Sequence, residues 1–257
     1  MPEKNSLRPP AAGTAVVLVA AGSGQRLGRG IPKARVLCAG RTLLEHSLEG
    51  ILASGVAASV VVVLPPDDAV LSAVVERLGA RGAVEGIRTS CVVGGATRTA
   101  SVQAGLAALP ESTTVVLVHD AALALTPADV FLRVADAVVA GADAVVPVLP
   151  VVDTVKIVTG SVVTATPDRA TLRAVQTPQG FLLAGLRAAH LSDHAASGAV
   201  TDDAMLMEAQ GAPVHVVPGD ALAFKVTTPL DLVVAEAVLA QRAGGGDAAA
   251  PPSAVTP

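Results

Sequence analysis

Two of the cations in a glycine-rich segment near the amino terminus have a spacing that suits a polyphosphate. The segment, AAGSGQRLGRGIPK, spans residues 20–33 and contains Arg26 and Lys33. Glycines let the backbone approach a ligand closely, and free N–H groups in such a loop point toward phosphate oxygens. Two cations in it would reach a triphosphate from different directions. The pattern predicts a phosphate-binding loop; the alternative is a surface turn with two solvated cations.

Two common phosphate loops do not match this segment. It lacks the GK[ST] ending of a P-loop and the third glycine of the dinucleotide fingerprint. Pro32 would also remove a hydrogen bond from the helix that a dinucleotide-binding fold begins within its loop. A dinucleotide-dependent oxidoreductase is therefore disfavoured.

Two charged residues further along the chain are candidates for binding the rest of a substrate. Asp120 ends the apolar run VVLVHD, and open α/β sheets bind ligands at the carboxyl ends of their strands. The alternative for Asp120 is a helix or turn cap. Lys225 lies on a short apolar strand predicted at residues 223–226, where a bound phosphate would explain a cation. His119 is expected to be structural.

Composition limits the possible partners. The chain of 257 residues has a net charge of −4 and 1% aromatic residues. Long polyanions need a basic surface and single strands need aromatic platforms, so no nucleic acid polymer is expected as a partner. The apolar runs are too short for a membrane span.

The two cysteines, Cys38 and Cys91, do not form a CxxC pair. They favour a reducing cytoplasm over an oxidising compartment. Lys4 and Arg8 ahead of the apolar residues 15–21 would also fit a short signal peptide, but that run leads directly into the glycine loop.

Apolar runs of strand length alternate with helical patterns along the chain. This alternation predicts a single Rossmann-like α/β domain over residues 14–243, with a mostly parallel twisted sheet and helices on both faces. The tails at 1–13 and 244–257 are expected to be disordered. Strands are predicted at residues 15–20, 59–64, 89–93, 114–118, 144–149, 214–217 and 223–226, and helices at residues 42–55, 67–78, 102–109, 182–191, 202–210, 228–242 and from 126 onward.

The alternation stops at about residues 150–178. Two extended pieces flank a Gly160-Ser161 turn there, which predicts a protruding β-hairpin arm. A hairpin cannot bury both faces alone, so we expect it to pack on a second subunit in a homodimer.

The motifs together resemble one enzyme family. AAGSGQRLG…PK is similar to the signature of nucleotidyltransferases that use sugar or polyol phosphates. Six further motifs resemble, in the same order, those of 2-C-methyl-D-erythritol 4-phosphate cytidylyltransferases over residues 15–240. They are GGATRTASV (94–102), VHDAA (118–122), DTVK (153–156), TPQGF (177–181), TDDA (201–204) and FKVT (224–227).

The resemblance implies CTP and a polyol phosphate as substrates, with Mg²⁺ as the cofactor. CMP would be transferred to 2-C-methyl-D-erythritol 4-phosphate, giving 4-diphosphocytidyl-2-C-methyl-D-erythritol and pyrophosphate. The alternatives are the same chemistry on D-ribitol 5-phosphate, or a CTP-binding regulatory protein without turnover.

The resemblance also implies roles for matching residues. Arg26 and Lys33 would stabilise charge on the α-phosphoryl group and the pyrophosphate, and Gly95 and Ser101 would recognise cytosine. Taken alone, Ser101 would be a hydroxyl on a helix surface. Asp120 would contact the acceptor's hydroxyl groups or lie near Mg²⁺, which the CTP phosphates would mainly hold. The expected catalytic residues are Arg26, Lys33, Arg169 and Lys225, and the other expected substrate-binding residues are Ala20, Ala21, Gly22, Ser23, Gly24, Arg98, Thr154, Thr177 and Thr201.

Two residues of the arm are expected to act across the dimer. In the family, residues that match Thr154 and Arg169 reach into the partner's site and hold the acceptor phosphate. Without the resemblance, Asp168 and Arg169 would be a solvated turn pair. One position departs from the family pattern HDAAR, because Leu123 stands where the arginine would be. This leucine puts the identity of the acceptor in doubt.

Overall fold

The computed structural model describes residues 13–22, 30–192, 195 and 200–244, and within these the β-branched runs form one eight-stranded sheet. In chain order the strands are β1 (Thr14–Val19), β2 (Leu37–Cys38), β3 (Arg41–Thr42), β4 (Ser59–Leu64), β5 (Arg88–Val93), β6 (Val115–Asp120), β7 (Ala144–Pro150), β8 (Ile157–Thr159), β9 (Val162–Ala165), β10 (Arg173–Val175), β11 (Gln179–Leu182) and β12 (Val214–Pro218). The described helices are α1 (Leu43–Ser54), α2 (Ala69–Val84), α3 (Arg98–Ala107), α4 (Ala128–Val139), α5 (Leu183–His190), α6 (Asp203–Ala209) and α7 (Pro229–Gly244).

The main sheet is mostly parallel. Strands β5, β4, β1 and β6 are parallel neighbours in that order. Strand β11 is antiparallel to both β6 and β7 and lies between them. Strand β12 pairs with β7 in parallel, and β10 pairs with it antiparallel. The carboxyl ends of β1, β5 and β6 therefore lie along one edge of the sheet.

The side chains of β1 alternate between two buried layers. Val16 and Leu18 pack with α1, α2 and α4, whereas Ala15 and Val17 pack with α3, α5 and α6. Successive side chains of a strand point to opposite faces, so helices cover the sheet on both sides. The predicted α/β fold is confirmed. No described helix has the length and apolar character that a membrane crossing needs.

Helix α1 begins at the capping box that its sequence predicts. The N–H of Thr42 donates to Glu45 Oε2 (2.7 Å), and the N–H of Glu45 donates to Thr42 Oγ1 (3.1 Å). The helix ends at Gly55, whose φ of 62° is a left-handed conformation. Helix α2 is longer than predicted, because it continues from residue 78 to Val84.

The residues after β7 form the predicted hairpin. Strands β8 and β9 make a separate two-stranded sheet around Gly160, whose φ is 59°. Strand β10, near the end of the predicted span of the arm, belongs instead to the main sheet. The part that protrudes is therefore centred on β8 and β9.

The segment 223–226, predicted as a strand, is irregular. The carbonyl of Ala223 accepts from Gln176 Nε2 (3.0 Å), and the N–H of Val226 donates to Ala122 O (2.9 Å). Because these bonds satisfy the backbone, the segment needs no neighbouring strand. The strand prediction is wrong here, and Lys225 is held on a loop.

Candidate active site

The predicted phosphate loop begins at the carboxyl end of β1. The N–H of Ala20 donates to Val63 O on β4 (2.8 Å), and the N–H of Lys33 donates to Gly22 O (3.2 Å). The second bond joins the two ends of the loop. The predicted site residues that lie outside the described part of the chain are Ser23, Gly24 and Arg26.

The turn between β5 and α3 packs against the start of this loop. A Cβ added to Gly94 would lie 2.5 Å from the Cβ of Ala21, so the close approach requires glycine. Ser101 is buried, and its hydroxyl accepts from the N–H of Gly95 (3.2 Å) and donates to Thr97 O (2.9 Å). Ser101 therefore shapes the turn and is not a hydroxyl on the helix surface.

Asp120, the last residue of β6, faces two cations. Its Oδ2 accepts from Lys225 Nζ (2.6 Å), and its Oδ1 accepts from Arg98 Nε (3.3 Å). Burial alone would raise the pKa of Asp120, but the charges of Arg98 and Lys225 hold that pKa below its ordinary value. Asp120 is therefore ionised at neutral pH.

His119 lies beneath Asp120 in the core. It is fully buried, its Nδ1 is 2.8 Å from Thr177 Oγ1, and its ring meets the edge of Phe131. The N–H of Asp120 donates to the same Thr177 oxygen (3.2 Å), so this hydroxyl joins the backbone of Asp120 to the His119 ring. Burial lowers the pKa of His119 to about 4. A neutral His119 thus fixes Thr177 beside Asp120.

A cavity of about 280 Å³, here called the Asp120 cavity, opens beside this carboxylate. It holds five predicted site residues from five motifs, which are Arg98, Asp120, Thr177, Thr201 and Lys225. Its other lining residues are Leu123, Val175, Gln176, Gln179, Asp202, Ala223 and Phe224. Charged groups and hydroxyls over a partly apolar wall suit a small polar ligand with a carbon backbone.

Thr154, Arg169 and Lys33 are among the predicted site residues that do not line the Asp120 cavity. Thr154 and Arg169 are exposed in the arm, where Arg169 donates to Val152 O. Lys33 lies near the start of α7. Burial opposes ionisation of Asp231 there, but the N–H groups and hydroxyl at the start of α7 and the charge of Lys33 lower its pKa. Lys33 is therefore separate from the cations that line the cavity.

Three polar residues that line the Asp120 cavity were not predicted from the sequence as site residues: Gln176, Gln179 and Asp202. Gln176 bonds the backbone of residues 220 and 223. Gln179 Nε2 donates to Asp202 Oδ2 (2.8 Å). Gln179 and Asp202 belong to the motifs TPQGF and TDDA, and that membership is the signal that could have identified them.

The described part of the site offers few side chains that could bind a metal ion. The described residues include no group of three or more His, Cys, Asp or Glu side chains that could hold one. Both oxygens of Asp120, the predicted neighbour of Mg²⁺, are bonded to cations. The described residues therefore do not fit a metal site built from protein ligands alone.

The comparisons with known sequences agree with the motifs. The family model described as 2-C-methyl-D-erythritol 4-phosphate cytidylyltransferase matches residues 14–241. A protein of that name from Corynebacterium efficiens is 49% identical over 226 residues, which are 86% of this chain and 91% of the relative. One from Nocardia farcinica is 52% identical over 233 residues, covering 90% of this chain and 96% of the relative.

Solved structures of similarly named enzymes share the fold. The 4-diphosphocytidyl-2C-methyl-D-erythritol synthase from Anaerococcus prevotii has a TM-score of 0.76 at 28% identity, covering 89% of this chain and 99% of that one. The 2-C-methyl-D-erythritol 4-phosphate cytidylyltransferase from Thermus thermophilus has a TM-score of 0.69 at 39% identity, covering 87% and 97%. Sequence and fold are thus similar to those of one group of enzymes.

Proposed function

Because the chain belongs to the 2-C-methyl-D-erythritol 4-phosphate cytidylyltransferase family, we propose that it transfers CMP from CTP to 2-C-methyl-D-erythritol 4-phosphate. The products are 4-diphosphocytidyl-2-C-methyl-D-erythritol and pyrophosphate, in a step of isoprenoid precursor synthesis. The observation that carries the proposal is the Asp120 cavity, which gathers charged and hydroxyl groups at the same edge of the sheet as the glycine loop.

The reaction is a phosphoryl transfer between two anions. A phosphate oxygen of the acceptor attacks the α-phosphorus of CTP, and a new P–O bond forms as the bond to the bridging oxygen of pyrophosphate breaks. A phosphate monoester has a second pKa of about 6, so the attacking group is already largely dianionic at neutral pH. The protein therefore supplies positioning and positive charge, and no general base is required.

Cations at both ends of the site offset the repulsion between the substrates. Arg26 and Lys33 act on the triphosphate, where charge develops on the leaving pyrophosphate. Lys225 acts on the acceptor side: an ammonium has three donors, so its bond to Asp120 leaves donors for a phosphate oxygen. Asp120, with both oxygens directed at the cavity's cations, contacts the acceptor's hydroxyl groups.

Leu123 makes part of the wall of the acceptor site apolar. It is buried and lines the Asp120 cavity, where the family pattern has an arginine. A leucine adds no charge, so the acceptor phosphate depends on Arg98 and Lys225 and on residues outside the cavity. The arm of a second subunit is the source we propose for the missing cation.

In this proposal, Mg²⁺ binds as a complex with the nucleotide substrate. Because the described residues do not fit a metal site of their own, the ion takes its ligands mainly from the triphosphate. Bound there, it would neutralise charge on the phosphates. Chelation is expected to stop turnover, and added Mg²⁺ to restore it.

The partner in this proposal is a second copy of the chain. Apolar side chains of the arm are exposed, among them Val152 at 76%, Val162 at 65% and Val158 at 57%. Covering such side chains is favourable, and a symmetric dimer would cover two arms at once. Thr154 and Arg169 would then hold the acceptor phosphate in the partner's site. The setting we propose is the cytoplasm, where CTP is present and Cys38 and Cys91 stay reduced.

Pyrophosphate release tests the proposed function directly. Purified protein with CTP and Mg²⁺ is given either 2-C-methyl-D-erythritol 4-phosphate or D-ribitol 5-phosphate, and ATP and UTP serve as control nucleotides. We expect release with CTP and the branched acceptor. Faster release with D-ribitol 5-phosphate would contradict the acceptor, and CTP binding without release with either would contradict the activity.

A further inference from the structure

A buried carboxylate, Asp203, lies behind the Asp120 cavity. It is the first residue of α6, and its side chain is 2% exposed. Its Oδ2 accepts from Arg98 Nη1 (2.7 Å), and its Oδ1 bonds His190 Nε2 (3.0 Å). A charge without water needs such partners, and here each oxygen has one.

Asp203 and Asp120 hold Arg98 between them. One edge of the guanidinium bonds Asp203, and its Nε faces Asp120 at 3.3 Å. Guanidinium donors have a fixed planar arrangement, so two partners on different sides fix the plane of the group. The orientation of Arg98 in the cavity therefore depends on a residue that does not line the cavity.

The residues around Asp203 are anchored to two further elements. The side chain of Gln179, on β11, donates to Asp202 Oδ2 (2.8 Å) and accepts from the N–H of Ala204 (3.2 Å). His190 is the last residue of α5 and is itself buried. The sheet and α5 thus fix Asp203 from behind, whereas Lys225 at the front of the cavity has a side chain that is 47% exposed.

We propose that Asp203 is a positioning residue for the acceptor site, which orients Arg98 and, through Arg98, the pair formed by Asp120 and Lys225. His190 fixes the second oxygen of the Asp203 carboxylate. The inference rests on the proposed function, because the Asp120 cavity is taken as the acceptor's site. Asp203 touches no substrate and acts through Arg98 alone.

A kinetic double-mutant cycle tests this dependence. Asp203→Asn is expected to raise the KM for 2-C-methyl-D-erythritol 4-phosphate on the order of 10-fold and to leave the KM for CTP unchanged, because a small misplacement of a binding group is costly. Adding it to Arg98→Ala should have little further effect, since Asp203 has no other route to the substrate. Multiplying effects, or an unchanged KM for the acceptor in Asp203→Asn, would overturn the inference.

Two further variants separate positioning from stability. Asp68 is also buried and lies at a helix start, where it accepts from the N–H of Leu71 (3.0 Å). Asp68→Ala removes this helix cap and should lower the melting temperature without changing the KM for the acceptor. His190→Gln keeps a hydrogen-bond donor for Asp203 and should retain the wild-type KM, whereas His190→Leu should raise it; equal effects of the two would count against the role of His190.

Side-chain NMR tests the hold on Arg98 without any turnover. The Nε–H signal of Arg98, assigned by its loss in Arg98→Lys, should exchange slowly with solvent in the wild type and faster in Asp203→Asn. Equal exchange in both proteins would refute the positioning role, whatever the activity. Absence of pyrophosphate release from the wild type would refute the proposed function instead.

Discussion

Asp120 accepts hydrogen bonds from two cationic side chains that differ in how firmly they are held. Arg98 is bonded on its other side to the buried Asp203, whereas the exposed Lys225 has one carboxylate partner among the described residues. The arginine is therefore fixed and the lysine is free to turn toward a ligand. A lysine on a flexible stem suits this task, since an ammonium acts as a point charge with rotatable donors.

Removing the charge of Lys33 from the phosphate loop should slow the chemical step. Lys33→Ala is expected to lower kcat on the order of 10²-fold, the scale for losing one preorganised contact to charge that develops in the transition state. Initial rates of pyrophosphate release at saturating CTP and acceptor provide the measurement.

Arg35 is the matched control for Lys33. It lies in the same short 3-10 turn, where its Nε is 3.9 Å from the carboxylate of Asp68. Arg35→Ala removes a cation of the same segment and should turn over at close to the wild-type rate. A Lys33→Ala enzyme as fast as Arg35→Ala would remove Lys33 from the catalytic set.

The buried histidine should make stability depend on pH. Burial lowers the pKa of His119 from 6.5 to about 4, so between these values the unfolded chain binds a proton that the folded protein does not. The stabilisation is complete above pH 6.5 and is lost as the pH falls toward 4, at a cost of about 3 kcal/mol.

Urea unfolding at a series of pH values measures this dependence. His119→Asn keeps an acceptor for the Thr177 hydroxyl but has no group that titrates. The free energy of unfolding of this variant should fall less steeply than that of the wild type between pH 6.5 and 4. Parallel curves for the two proteins would show that His119 is not the group responsible.

Single residues were predictable where a motif fixed both type and place. Asp120 at the end of β6 and Ser101 after the glycine pair follow from the motifs and the strand pattern, and the structure brings both to the same edge of the sheet. Asp203 was not singled out, because its partners Arg98 and His190 are 105 and 13 residues away in the chain. The motif TDDA contains Asp203, but contacts of that kind depend on tertiary packing and the motif does not reveal them.

At the scale of elements, local signals predicted starts and ends better than strand pairing. The capping box at Thr42 and the glycine at residue 55 delimit α1 as expected. The apolar segment 223–226 has strand-like composition, but side-chain bonds from Gln176 take the place of a strand partner. Composition alone does not distinguish the two outcomes, because both bury apolar side chains and satisfy the backbone.

Two helical glycines should respond in opposite ways to the same substitution. A Cβ on Gly105 of α3 would lie 2.5 Å from Val17 Cγ1 and 3.0 Å from Val63 Cγ2, both in the packed sheet. Gly105→Ala should therefore lower the free energy of unfolding by about 1–3 kcal/mol.

Gly50 of α1 provides the comparison. The nearest atom to an added Cβ there is Thr126 O at 3.7 Å, an ordinary contact. Gly50→Ala should raise stability by about 0.5–1 kcal/mol, because alanine loses less conformational entropy in a helix. Thermal or urea unfolding of both variants decides the matter, and shifts in the same direction would contradict the packing of α3 on β1.

At the scale of the whole molecule, the single chain leaves its proposed site without the residues of the arm. Thr154 and Arg169 do not line the Asp120 cavity, and the arm exposes apolar side chains on β8 and β9. Both features have one explanation in the proposed homodimer, in which each arm covers the other subunit and completes its site.

Mixing two impaired variants tests this arrangement. Lys33→Ala has a defective loop and an intact arm, whereas Arg169→Ala has an intact loop and a defective arm. A mixed dimer pairs the intact loop of one chain with the intact arm of the other, so it contains one complete site.

Random reassortment of equal amounts should restore about a quarter of the wild-type activity per chain. Half of the dimers are then mixed, and each mixed dimer has one working site of two. If Arg169 served its own subunit, the mixed dimer would contain no complete site, and the activity would stay at the mean of the two variants. Native mass spectrometry with one variant labelled with ¹⁵N separates the mixed dimer from the two homodimers and so establishes that the chains have reassorted; an absence of recovery in a mixed dimer would then refute action of the arm across the interface.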